Sequence, residues 1–158
     1  MEVMCTLPIK DYEFVIGKYL AVLTLLKVAL LLTGVMFINL VFVGTNIDYG
    51  AVFTGYLGLF LAGAVYASMG LFASSLTDNQ VVGFIIAIFF VLIFFLIDKL
   101  LIFMPNMIAG TLQYLSIDYH LSNISRGVLD TRNLIYFLSM ISLFIMLTVE
   151  SLSSRKWD

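Results

Sequence analysis

Four long apolar runs, parted by short polar stretches, organise this chain: Phe14 to Gly44, Ala51 to Leu76, Val81 to Met104 and Leu134 to Leu152. Each is near or above the ~20 residues that carry a helix across a bilayer. None shows the apolar/polar alternation, in segments of roughly ten residues, that a membrane barrel strand requires. The pattern predicts four membrane-spanning helices. The first run is longer than one crossing, so it is expected to begin in the interface and tilt. Asp11 is the expected N-cap there, with Glu13 in the first turn against the positive end of the helix dipole. Gly44 and the stretch "TNIDYG" close that helix as a turn.

The second run differs in texture. Gly55, Gly58, Ala62, Gly63, Ala67, Gly70 and Ser74 recur at spacings of three and four, which marks a helix built for close approach by its neighbours. Small residues matter in lipid, where no hydrophobic force draws helices together and close packing must do so. A polar hinge, "SSLTDNQ", leads into the Phe- and Ile-rich third run, which ends at Asp98, Lys99 and Pro105. Residues 106–133 form the one sizeable polar excursion. Leu112, Leu115, Tyr119, Leu121, Ile124 and Val128 lie there at roughly helical spacing, which predicts one or two short amphipathic helices at the interface or dipping in from it. After the fourth run, "SSRKWD" sets Trp157 beside Arg155 and Lys156, a combination suited to headgroup depth.

Composition agrees: 62% of the 158 residues are hydrophobic and 11% charged, with a mean hydropathy of +1.10. A water-soluble domain needs far more charge on its surface. The fold class is therefore all-α integral membrane, in one domain of residues 1–158, with residues 1–13 as a polar segment ahead of the first span. The net charge of −2 says little, since most charges lie in short loops and at the ends. Four crossings put both ends on one side with Lys10, Lys18, Arg155 and Lys156, against Lys99, Arg126 and Arg132 on the other, which leans toward cytoplasmic termini. No cleavable leader is expected, the first helix serving as its own insertion signal. The single cysteine, Cys5, excludes an internal disulfide. His120, the single histidine, is read as a solvated or hydrogen-bonding residue rather than a metal ligand.

Motifs for chemistry are absent. There is no G-x-x-x-x-G-K-[ST], the pair Gly17–Lys18 lacking its upstream glycine, so the chain cradles no phosphates of a nucleotide by that loop. H-E-x-x-H and G-x-S-x-G are missing too, and no nucleophile, base or metal cluster sits at bilayer depth, which speaks against an intramembrane enzyme. Three charges remain open to two readings each. Lys27 contacts a transport path, or snorkels back to the headgroups if the helix enters the membrane late. Glu150 pairs locally with Arg155 or Lys156, or meets a partner. Asp98 forms a helix-end pair with Lys99, or lines a pore mouth.

The stretch "EVMCTLPIKDYEFVIGKYLA" resembles the permease subunits of type-two ABC exporters, in particular the gliding-motility-associated branch, whose pattern is E-x-x-x-T-L-P-[IV]-x-D-x-E-x-x-x-G-K. Glu2, Thr6, Leu7, Pro8, Ile9, Asp11, Glu13, Gly17 and Lys18 match it in register. Two later stretches, "GLFASSLTDNQ" and "SRGVLDTRNLIYFLS", are similar to the family in the same order. The resemblance implies an exporter's transmembrane subunit, in the inner membrane, forming a dimer with a second permease subunit. It implies that Glu2, Thr6, Leu7, Pro8 and Asp11 belong to a cytoplasmic coupling helix docking on an ATP-binding cassette subunit, with Pro8 ending it. ATP is then used by that partner, with no cofactor on this chain and no nucleic acid. Residues 106–133 would correspond to the family's external helices before the last span. Family subunits carry six spans, two before the coupling helix, so the chain is expected to be N-terminally truncated relative to them. The alternative is a membrane scaffold or assembly protein, or a truncated permease without transport, its helix-packing residues Gly58, Ala62, Gly63, Ala67 and Gly70 organising partners.

Overall fold

A computed structural model of the chain describes residues 10–44, 47–100, 110 and 113–154, with every side chain among them except that of Asp98. Five helices account for most of these residues: α1 (Asp11–Val43), α2 (Tyr49–Ser75), α3 (Gln80–Leu100), α4 (Ile117–Ser125) and α5 (Thr131–Ser154). Four of them, all but α4, are long and apolar enough to cross a membrane. The chain is an integral membrane protein whose successive spans alternate in direction, so that α2 and α5 run parallel and end side by side, Ser151 Oγ donating to the Ser75 carbonyl at 3.2 Å. Residues 10, 76–79 and 154 thus lie on one side, here the terminal side, and residues 44, 47, 48 and α4 on the other, the far side.

Local chemistry sets each boundary. α1 begins one residue earlier than expected. Its N-cap is Lys10 in extended conformation, because the Glu13 carboxylate reaches back to accept from the Lys10 N–H at 3.3 Å. Asp11 is therefore the first residue of the helix rather than its cap. Asp48 caps α2, its Oδ1 accepting from Gly50 N at 3.0 Å and Ala51 N at 3.2 Å. Asn79 Oδ1 accepts from Val81 N at 2.9 Å at the start of α3. Ser116 Oγ accepts from Tyr119 N at 3.3 Å to open α4. Gly127, at φ +87°, ends that helix in the left-handed region where a side chain would be strained. The expected third span extends to Met104; residues 101–109 lie outside the described ones.

Within the spans, hydroxyls bond to their own helix. Thr24, Thr33, Ser68, Ser75 and Thr148 each donate to a carbonyl three or four residues earlier, at 2.6–2.8 Å. This satisfies them where lipid offers no partner.

The core lies between α2, α4 and α5: Ala62, Val65, Met69, Ile117, Ile124, Phe137 and Phe144. Phe72 and Phe90 pack on Phe144 with ring centroids 5.9 and 6.4 Å apart, bringing α3 onto the same cluster. α2 is the hub and touches all four other helices. α4 does not lie flat at the surface: Ile117 and Ile124 are fully sequestered in this core, so the helix dips into the far side of the bundle.

The small residues of α2 divide this labour. Gly58 faces α4, where an added Cβ would meet Leu121 Cδ1 at 2.9 Å and Ile124 Cγ2 at 3.2 Å. Gly63 faces α1, and a Cβ there would meet Leu26 Cδ2 at 2.6 Å. Ala62 is in the core, while Gly55 and Gly70 have nothing within 4 Å. Consecutive residues sit ~100° apart around a helix, so Gly58 and Ala62 form one row and Gly63, Ala67 and Gly70 another. One apparent seam is two.

Candidate functional site

Glu2, Thr6, Leu7 and Pro8 lie outside the described residues. Asp11 starts α1, and its side chain is partly buried. Lys27 falls midway along α1, exposed on the surface of the chain. α1 spans 33 residues, roughly 50 Å against a hydrocarbon core of about 30 Å. Lys10, Asp11, Glu13 and Lys18 crowd its terminal-side end, and no charge follows Lys27 within it. The excess length therefore belongs on the terminal side, where the charges gather. Glu150 is exposed one turn before the end of α5; Arg155 and Lys156 are not among the described residues. The side chain of Asp98 is likewise outside them. Its neighbour Lys99 reaches across to Asp118 of α4, Nζ to Oδ2 3.4 Å, a partner the sequence did not suggest. These charges do not converge on one site.

What the fold does bring together lies at the far side, around α4. His120 is only 4% exposed. Its Nε2 sits 3.0 Å from the Tyr114 carbonyl and its Nδ1 2.7 Å from Asn133 Oδ1. Its ring stacks on Tyr136, with centroids 4.0 Å apart and planes at 20°. The Tyr136 hydroxyl in turn donates to the Leu115 carbonyl at 2.6 Å. His120 is thus a buried pivot tying α4 to α5. The hydrogen-bonding half of its expected role holds and the solvated half does not, because α4 turns its histidine inward. A carbonyl can only accept, so Nε2 carries a proton. A neutral ring then presents a bare Nδ1 to the Asn133 NH2; a ring protonated on both nitrogens takes Oδ1. The orientation with Oδ1 toward the ring leaves the NH2 of Asn133 for the space beyond.

That space is a cavity of about 620 Å³ between α4, the 126–130 turn and the first turns of α5. His120, Asn133 and Tyr136 line it, with Asn123, Arg126, Asp130 and Arg132. On the other flank of α4 a second hollow of about 750 Å³ is lined by Lys99, Gln113, Asp118, Ser122 and Arg126 among others. Among the described residues, no group of three or more His, Cys, Asp or Glu side chains could hold a metal ion. The sequence contained a faint signal for this site. Asn133 and Tyr136 interrupt the apolar start of the last span, one turn apart and beside an Arg–Asp–Arg set, but nothing linear joins them to His120.

A four-span helical bundle with a short helix folded into one mouth defines a polytopic membrane protein with a polar vestibule, not a soluble or barrel protein. More narrowly, the chain belongs to the ABC-2 family transporter proteins, whose family model matches residues 1–158. It is a permease of an ABC transporter, the membrane component rather than the catalyst. No curated protein and no solved structure matches the chain.

Proposed function

We propose that the chain is the transmembrane subunit of an ATP-driven exporter, coupled through residues 2–11 to a separate ATP-binding subunit and paired with a second permease subunit. Its termini would lie on the cytoplasmic side of the inner membrane, and the gliding-motility branch is the closest pattern. The observation that carries this reading is the family match along the full length of a four-span bundle.

The packing of α1 is consistent with such coupling. Its buried residues, Val15 and Tyr19, both lie in its first three turns. Tyr19 donates to the Ala64 carbonyl at 3.1 Å, and Leu26 rests on Gly63. Beyond these contacts, Leu31, Leu32, Val35, Met36, Phe42 and Val43 are all exposed. A push on the segment before α1 would swing the helix about its attachment to α2, while α2, α4 and α5 stay locked. ATP hydrolysis would be the partner's work, and α4 would stand at the outer end of the path.

The test is recovery of a Walker-motif protein in mild detergent with the chain tagged at Asp158. The full chain should bring it down; a chain lacking residues 2–8 should insert normally and lose it. Equal recovery by both would sink the coupling assignment.

A further inference from the structure

We propose that the cavity beside α4 is a binding site for a phosphate group, monoester or diester, at the far side of the bundle. Arg126 and Arg132 both line it. Among the described residues neither guanidinium makes an ion pair or a hydrogen bond. Planar guanidinium forks match phosphate oxygens two at a time, and two of them on one cavity make a clamp. Asp130 is the single carboxylate in the lining, and its Oδ1 already accepts from the Arg132 backbone N–H at 3.0 Å. The lining is therefore net cationic.

The floor is polar. Asn133 is 5% exposed, and its side-chain amide pairs with His120 Nδ1 at 2.7 Å. The same amide lines the cavity between the two arginines' segments.

The rim is apolar: Val128 is 59% and Ile135 65% exposed. At the level where α5 enters the bilayer, such a rim suits acyl chains beneath a headgroup. A lipid phosphate and a soluble one share the recognising chemistry. The proposal stands apart from the ATPase-coupling reading, and its failure leaves that reading intact.

The experiment is native mass spectrometry of the full chain in neutral detergent, titrated with phosphatidylglycerol, phosphatidylcholine or inorganic phosphate. The wild type should retain phosphatidylglycerol at concentrations about tenfold or more below those needed by the R126Q/R132Q double variant. Both arginines are exposed, so folding is not at stake. The D130N variant keeps a capping side chain at the start of α5, removes the opposing charge and should bind several-fold tighter. Retained phosphatidylglycerol that millimolar inorganic phosphate cannot displace assigns the site to a lipid headgroup. Displacement by inorganic phosphate assigns it to phosphate groups in general. Equal retention by wild type and the double variant, or weaker binding by D130N, overturns the proposal.

Discussion

α1 and α2 are both long, apolar and nearly free of charge in their middle turns, yet they stand in opposite relation to the rest of the chain. In α2, 39% of the most apolar stretch is buried inside the bundle; in α1, none of it is. Hydrophobicity cannot separate them, because lipid tails receive a leucine as well as another helix does. What separates them is side-chain size and polar reach. α2 has glycines where Leu121 and Leu26 come down, and it sits against the core formed with α4 and α5. α1 meets α2 through Tyr19, Leu26 and Phe37 and also touches α5, yet it presents most of its large side chains outward. One helix is a fixture and the other is lightly held.

The strongest way to break this contrast is to remove the segment that leads into the lightly held helix. Deleting residues 2–8, or making Pro8→Lys, is expected to abolish capture of the ATP-binding subunit while the thermal stability of the bundle in detergent stays unchanged. A large loss of stability in that variant would mean that α1 is part of the fixture.

Within the fixed half, His120→Ala should be the most damaging point change. It strands the Asn133 amide and the Tyr114 carbonyl and empties the space over Tyr136. A loss of roughly 2–4 kcal/mol is expected in unfolding followed by far-UV circular dichroism. Gly58→Leu should come next, forcing α4 outward at a cost of about 1–3 kcal/mol. Gly70→Leu, with nothing within 4 Å of its Cβ position, should change the stability of the lone chain by less than about 0.5 kcal/mol. Equal effects of the two glycine variants would show that the two rows on α2 are not distinct.

The smallest effects belong to the single bonds between elements. Tyr19→Phe removes the hydroxyl that holds α1 to Ala64 and is expected to cost about 0.6 kcal/mol, the usual size of such bonds between membrane helices. A double-mutant cycle on Lys99 and Asp118 should return between 0 and ~1 kcal/mol, since the pair is largely open to solvent. A coupling well above that range would make the α3–α4 contact a structural lock rather than a surface pair.

Membrane residence and the four spans were legible because both depend on runs of residue type, which lipid reads locally. The small-residue pattern of α2 was legible too, but only as a single face. Its division between α4 and α1 depends on where those helices lie. The short helix in the 106–133 excursion was visible as periodicity, whereas the choice between lying at the interface and dipping in was left open. Depth is decided by what Ile117 and Ile124 meet on α2 and α5, and an amphipathic pattern reads alike at the surface and below it.

The His120 site shows the limit most clearly. His120, Asn133 and Tyr136 are separated by a turn and a helix boundary, and each alone reads as an ordinary polar residue. Sequence by itself determined the lipid-facing character of this protein and its spans, because those follow from transfer free energy summed over runs of residue type. Tertiary structure alone decided which helices are fixed, where α4 sits and that two arginines border one cavity. Those features arise from side chains meeting across helices, and a linear pattern carries no information about distances between segments that only packing brings together.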